Sequence, residues 1–327
     1  MSISAIVPVW NGRDFVARLV DTLEAQTVPA DELIVVDNGS TDGAPEMAAG
    51  RGARVISMGR NAGFAAAVNR GIGESRGEWI AVLNSDVELA PDYFATLIAA
   101  GASFATGKIM RKSDGRIDGT FDLLSRGGCA WRAGHGRADG TIFSTRRPIA
   151  SPPWTAVLFR AEVFRRAGYL DESFESYLED VEFGLRCAAL GIEGLYEPRA
   201  VAWHHGSASL GEWHPETVRR IARNQVLLVA RHYPPRLLFG CAWPILVAQL
   251  LWGAVAFRHG AGLAWLRGKW QGLRNSRDSG TGYATPNFEK VLERLCANER
   301  IIREMQTATG FDLYWRWYLF LTGSGRK

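Results

Sequence analysis

The 327-residue sequence has only 4 cysteines, and Cys129, Cys187, Cys241 and Cys296 are scattered without C-x-x-C or metal-type spacing. That scarcity excludes a disulfide framework or a zinc module and reads as packing thiols in a reducing compartment. The first ten residues lack a basic n-region, and their apolar run is too short for a secretory signal, so a cytoplasmic location is expected. Nucleic-acid signatures are missing too: there is no C2H2 spacing, no RNP-type aromatic motif and no long basic run. The first strand-to-helix turn, Pro8-Val9-Trp10-Asn11-Gly12, contains neither G-x-G-x-x-G nor G-x-x-x-x-G-K-[ST]. A dinucleotide-binding domain and a P-loop are thereby disfavoured, as is a nucleotidyltransferase, which needs a Gly-rich basic triphosphate loop at that turn.

What is present is a globular composition, 47% apolar and 22% charged, in a chain long enough to bury a large core. Residues 5–10 read as a buried strand, and residues 14–27 follow with a helical stripe at Phe15, Val16, Leu19, Val20 and Leu23. Strands are expected again at 32–37, 54–58 and 79–83, with helices starting near Pro45 and over 65–75. Such alternation with short connections predicts an α/β fold, a mainly parallel sheet flanked by helices, with its strand ends gathered on one edge. Residues 108–150, rich in Gly, Arg and Asp, are expected to be irregular with short strands, before the pattern resumes at 155–164.

The strand at 79–83 stops abruptly in Asn84-Ser85-Asp86-Val87-Glu88. Carboxylates two residues apart at a carboxyl strand end suit a hard divalent cation carrying phosphates, in the crevice where open α/β sheets bind ligands. The same residues would also serve as an ordinary polar turn. Glu179, Asp180 and Glu182 fall where a loop becomes a helix, and there carboxylates stabilise the first turn by up to about 1 kcal/mol whether or not they react. His204 and His205 follow another strand, as ligands or as structural histidines.

Together these stretches resemble the family 2 glycosyltransferases of GT-A fold, most closely bacterial rhamnosyltransferases. The likeness rests on Pro8-Val9-Trp10-Asn11, Val36-Asp37-Asn38-Gly39-Ser40-Thr41-Asp42, Asn61-Ala62-Gly63-Phe64 running on to Asn69-Arg70-Gly71, Leu83-Asn84-Ser85-Asp86-Val87, Glu179-Asp180-Val181-Glu182 and Trp203-His204, in register over about residues 3–210. The resemblance implies an inverting enzyme that uses a nucleotide-diphosphate sugar and a divalent metal, Mg2+ or Mn2+. It implies that Pro8, Val9, Asn11, Asp37 and Asn38 hold base and ribose, that Asn61, Gly63, Asn69 and Asn84 line the donor cleft, and that Asp86 and His204 meet the metal. Asp180 would be the general base, and Trp154 and Glu179 would face a glycan or lipid-linked acceptor. Asn84 replaces an aspartate common in relatives, and Glu182 another. The rival reading is a catalytically silent nucleotide-sugar scaffold or sensor, against which the intact Asp86, Asp180 and His204 weigh.

Residues 216–327 are expected to form a separate helical region after a catalytic domain at 1–215. From Arg258 onward there are 12 Lys and Arg against 6 Asp and Glu, and half of the 12 Trp lie from Trp243 onward. Residues 237–257 are 21 positions whose strongly polar member is Gln249, roughly 30 Å as a helix, about a bilayer's hydrocarbon thickness. Pro244 and flanking arginines favour a helix lying in the anionic cytoplasmic face of the cell membrane over a span. A core or homodimer helix is the alternative, and nucleic acid is not an expected partner.

Overall fold

The computed structural model describes residues 1–206, 211, 213–276 and 288–324. The chain forms two units. The first draws on Met1–Phe121, Gly134–Cys187 and Gly191–Ala208, the second on Asp122–Ala133, Ala188–Leu190 and Ser209–Lys327. The second unit is therefore more than a C-terminal extension: it takes in a short segment from the middle of the chain.

In the first unit, β1 (Ile3–Val9), α1 (Arg13–Glu24), β2 (Glu32–Asp37), α2 (Ala44–Gly50), β3 (Arg54–Ser57), α3 (Phe64–Glu74) and β4 (Trp79–Leu83) alternate as the periodicity predicts. The strands pair in parallel in the order β3-β2-β1-β4, with Val9 opposite Asp37 and Asp37 opposite Ser57. Every residue of β4 is buried, as helix-covered parallel strands require, and α1 buries Val16, Leu19, Val20 and Leu23 against the sheet. The same register lines up the carboxyl ends on one edge.

The sheet then changes character. After β5 (Val87–Leu89) and α4 (Tyr93–Ala99) come β6 (Phe104–Arg111) and β7 (Ile117–Gly119), followed in the second unit by the hairpin β8 (Asp122–Leu124) and β9 (Ala130–Arg132). Back in the first unit are β10 (Arg147–Ile149), β11 (Ala156–Arg160), α5 (Ala161–Ala167), α6 (Glu179–Ala189) and β12 (Gly194–His204). β11 runs antiparallel between β4 and β6, while β12 is parallel to β6 and antiparallel to β5 and β10. The sheet is thus parallel through β4 and mixed beyond it. β6 carries regular strand to Arg111, a few residues into the stretch expected to be irregular with short strands, and beyond it β7 to β10 are short, as expected. Gly107 looks like a breaker, yet it is what lets β12 come close, since a Cβ there would stand 2.2 Å from the Ala200 carbonyl oxygen. Lys108 is buried with its ammonium 2.8 Å from Asp139.

The second unit holds α7 (Pro215–His232), α8 (Pro235–Gly240), α9 (Ala242–Arg258), α10 (Gly262–Asn275), α11 (Phe288–Thr309) and α12 (Leu313–Leu321). The single helix expected over 237–257 is divided at Cys241. Pro244 lacks the N–H that would bond the carbonyl four residues back, so it is accommodated in the first turn of a new helix. Among the described residues no helix is long and apolar enough to cross a membrane. Inside the unit, buried Glu299 accepts from Arg126 at 2.8 Å and from the Tyr318 hydroxyl at 2.6 Å. Its outer helices expose stripes at helical spacing: Trp243, Leu246, Leu250 and Phe257 on α9, Leu263, Leu266, Trp270 and Leu273 on α10, Leu313, Trp317 and Phe320 on α12.

Candidate active site at the carboxyl edge of the sheet

Local chemistry builds the donor side of the edge. Asn11 and Gly12 take left-handed backbone, φ 62° and 92°, to turn the chain from β1 into α1. The turn is tied to the loop after β2: Asn11 donates its N–H to Ser40 Oγ at 2.9 Å, and its side-chain oxygen accepts from the Thr41 N–H at 2.9 Å. Asp42 accepts from the N–H groups of Gly12 at 2.6 Å and Arg13 at 2.9 Å, capping α1 from another loop, and from Ala44 at the start of α2. Burial raises the Asp42 pKa, but these backbone donors outweigh it and hold the carboxyl below its ordinary value. Asp37 accepts from the Ser40 N–H at 2.8 Å.

Asn38 extends this network by accepting from the Ala62 N–H and donating to the Gly63 carbonyl, both at 3.1 Å, while Asn61 accepts from the Gly63 N–H. Gly63, at φ 93°, lies against Glu175, whose carbonyl oxygen would be 3.1 Å from an added Cβ. Pro8 and buried Val9 end β1 as expected. Asn69 does not lie open to a cleft. Its amide donates to the Leu170 carbonyl and to Glu172, and accepts from the Leu170 N–H at 2.9 Å, so it staples α3 to the 170–172 segment.

The corner expected to hold the metal is built by β4, β5 and β12. Asn84 donates its N–H to the Thr155 carbonyl at 2.9 Å, and the Asp86 carbonyl accepts from the His205 N–H at 3.0 Å. Asp86 is 3% exposed, and its Oδ1 is 3.1 Å from His204 Nε2. The other ring nitrogen, Nδ1, is 3.0 Å from Oδ2 of Asp118 on β7. Burial opposes a charge on the His204 ring, but the hydrogen bonds to Asp118 and Asp86 prevail and raise its pKa to about 9. His205 turns the other way: its Nε2 lies 2.7 Å from Glu88 Oε1, and Lys112 reaches the second Glu88 oxygen at 2.6 Å. Glu88 is therefore committed to Lys112 and His205, and desolvation, which raises its pKa, is outweighed by them.

Among the described residues no three His, Cys, Asp or Glu side chains converge as a complete metal cage. Asp86 and His204 nevertheless fit a divalent ion of the kind that takes one or two protein donors and fills its shell with phosphate oxygens and water. A carboxylate on the far nitrogen of the histidine is the usual companion of such a ligand.

The third part is the start of α6. Asp180 is 8% exposed; its Oδ1 accepts from the Val181 N–H at 2.8 Å, and its carbonyl accepts from Ser151 Oγ at 3.1 Å. Residues 151–155 lead into β11, so Asp180 is tied through them to Asn84 at the end of β4. Glu179 is also buried in this turn. Glu182 points into the interior, held by Arg186 through two contacts of 2.8 Å. The loop before α6 is strained: Glu175, Tyr177 and Leu178 all have φ between 59° and 73°. Left-handed non-glycine residues cost of order 1–3 kcal/mol each and cluster at functional sites. The Glu175 carbonyl accepts from the Ala65 N–H at 3.2 Å, which helps hold the loop.

Trp154 corrects an expectation. The resemblance implies a place at the acceptor, but Trp154 is 2% exposed, with ring centroids 5.0 Å from Phe159 and 5.2 Å from Phe183. An aromatic so enclosed has no face for a sugar. Asp42 and Asp118 are the residues that pattern reading missed as parts of the site. Asp42 stood within a motif; Asp118 stood in none.

Residues 4–168 match the sequence profile of Glycosyl transferase family 2. The chain belongs to that family. This glycosyltransferase is 29% identical over 225 residues to the N-acetylglucosaminyl-diphospho-decaprenol L-rhamnosyltransferase of Mycobacterium tuberculosis, over 59% of this chain and 73% of the relative. Its fold is similar to that of GalNAc-T7, solved with UDP, GalNAc and Mn2+, at TM-score 0.65 and 13% identity, covering 95% of this chain and 58% of that one. It is also similar to the mannosyltransferase PcManGT of Pyrobaculum calidifontis, solved with GDP-Man and Mn2+, at TM-score 0.52 and 16% identity, covering 99% and 88% of the two chains. The glycosyltransferase thus has the α/β architecture of GT-A enzymes, with helices following the catalytic sheet.

Proposed function

We propose that this glycosyltransferase transfers a sugar, rhamnose by analogy with its mycobacterial relative, from a nucleotide-diphosphate donor to a lipid-linked or polysaccharide acceptor. The observation that carries the reading is the buried Asp86–His204 pair at the carboxyl edge, where a nucleotide diphosphate meets its metal in this type of sheet. Val9, Asn11, Asp37 and Asn38 frame the base and ribose side. Asn61, Gly63 and Asn84 border the diphosphate, and Asn69 supports the cleft from behind. A divalent cation, Mg2+ or Mn2+, supplies charge neutralisation for the departing diphosphate when bound at Asp86 and His204. Asp180 takes the proton of the acceptor hydroxyl as its oxygen attacks the anomeric carbon and the bond to the diphosphate breaks. Glu179 lies beside it on the acceptor side. One displacement inverts the anomeric centre.

The second unit supports a peripheral position on the cytoplasmic face of the cell membrane. Residues 217–277 contain no Asp or Glu, and exposed Arg236, Arg258, Arg267 and Arg274 flank the exposed apolar stripes of α8, α9 and α10. Aromatic and aliphatic groups beside arginines are what an anionic interface binds. A second copy of the chain is the competing occupant of that surface.

The test is transfer from a panel of nucleotide sugars to a polyprenyl-diphosphate-linked acceptor, alongside Asp86→Ala. Metal-dependent transfer by the wild type, lost in the variant with donor affinity, is expected. Donor binding without transfer or donor hydrolysis would favour the silent scaffold.

A further inference from the structure

Asp118 belongs to no motif and follows no patterned strand, yet its carboxylate meets the ring of His204. We propose that Asp118 is the positioning residue that presents His204 to the divalent cation, holding Nδ1 so that Nε2 is offered beside Asp86. The inference rests on the metal part of the function proposed above.

Three observations carry it. First, the imidazole lies between two carboxylates that take opposite nitrogens, Asp118 Oδ2 at 3.0 Å from Nδ1 and Asp86 Oδ1 at 3.1 Å from Nε2. Without a cation the ring can donate from both nitrogens to these carboxylates; a ligating imidazole is the neutral form, with one N–H and one lone pair. For Nε2 to ligate a cation, the remaining proton must sit on Nδ1, and a carboxylate acceptor there favours that tautomer and fixes the ring plane. Asp118 is therefore on the wrong side of the ring to be a ligand and on the right side to orient one.

Second, the backbone aims the side chain. β7 pairs with β6 through Ile109 opposite Gly119 and Met110 opposite Ile117, so two steps along β7 correspond to one along β6. The extra residue is Asp118. A bulge re-aims the side chain it carries, here towards β12, whose His204 is opposite Arg111 on the other side of β6. Third, the bulge is braced. The Asp118 carbonyl is 2.7 Å from His135 Nδ1, the Ile117 N–H donates to the Arg137 carbonyl, and the Gly136 N–H donates to the Ile117 carbonyl, both at 2.9 Å. Both side chains are shielded, with 14% exposure for Asp118 and 15% for His204, so solvent does little to loosen the pair.

The neighbouring pair, Glu88 and His205, serves as the comparison: there the carboxylate meets Nε2 of its histidine rather than Nδ1, and also holds Lys112.

The experiment measures Mn2+ alone binding to the full chain, from the electron paramagnetic resonance signal of the free ion, in wild type, Asp118→Asn and Glu88→Gln. Loss of a ligand's orienting partner weakens metal binding about 10- to 100-fold, which is expected for Asp118→Asn, with Glu88→Gln within about twofold of wild type. Affinity in Asp118→Asn within about twofold of wild type, or equal weakening in both variants, overturns the proposal. Wild type that ignores Mn2+ removes the metal reading itself and this inference with it, whereas wild type that binds beside an equally competent Asp118→Asn removes only the role of Asp118. A second measurement needs no variant: in the Mg2+-loaded wild type, nitrogen NMR of labelled histidine must show the His204 proton on Nδ1. A proton on Nε2 overturns the proposal.

Discussion

The sheet edge of the first unit and the outer helices of the second depart from the ordinary partition of residues in opposite senses. At the edge, Asp86, Asp180 and Glu182 are buried, although carboxylates are seldom withdrawn from water unless partnered. On the helices, Leu250 is 59% exposed and Leu263 80%, in stripes too regular to be scattered surface residues. The edge carries charge with a partner already in place; the helices carry apolar surface that stays exposed. Buried charge needs its partner to be tolerated, and exposed apolar surface gains nothing from folding, so the two regions answer to opposite kinds of substitution.

Four substitutions would break or sharpen that contrast. Asp180→Asn has the largest expected effect. It keeps the shape and loses the base, so donor affinity should persist while transfer slows about 10²- to 10⁴-fold. A near-wild-type rate would leave Asp180 as a helix-end carboxylate, worth at most about 1 kcal/mol of stability.

Trp154→Ala follows, and sets a buried aromatic beside those buried acids. It should cost about 3–5 kcal/mol in denaturant unfolding, because the ring fills the space among Phe159, Phe164 and Phe183, and leave the acceptor KM of the folded fraction unchanged. A raised acceptor KM at undiminished stability would return Trp154 to the acceptor site.

Leu250→Glu then tests the helices. Removing one large apolar group from an interface loses about 1.5–3 kcal/mol, so flotation with anionic vesicles should fall at least tenfold while the melting temperature of the free protein holds. A variant that melts early would show that the stripe is packed rather than exposed.

The smallest effect is a pH dependence inside the second unit. Burial lowers the Lys269 pKa to about 8 from its ordinary 10.5, with its ammonium bonded to Gln225 at 2.7 Å and to Gln249. Between pH 8 and 10.5 the unfolded chain holds more protons at this position than the folded one, so folded stability rises with pH across that window. Below about pH 8 the penalty is constant. Relative to Lys269→Met, wild type should gain at most about 1.4 kcal/mol per pH unit as pH climbs from 8 to 9. A flat difference in stability between the two proteins would show that Lys269 stays charged.

Much of the first unit was legible because its signals are local. Residues 1–89 alternate strand and helix with short connections, so β1 to β4 and their carboxyl edge followed from periodicity, while the family was carried by motifs that resemble it, some as distant as Glu179-Asp180 and Trp203-His204. The same reading ended β6 a few residues early, because Lys108 has loop character and is a buried strand residue only when Asp139 is supplied by distant chain. Asn69 was legible as a motif residue but not as a staple, since its partners at 170–172 are about a hundred positions away.

The sequence by itself determined the fold class, the polar strand ends, the deficit of acid before Asp278 and the apolar content of the tail, since each is a property of composition or short-range period. Only the tertiary structure decided that Asp118 faces His204, that Trp154 belongs to the core, that residues 237–257 form two helices, and which apolar groups remain outside. Orientation and exposure depend on contacts between residues far apart in the chain, and no local pattern encodes them.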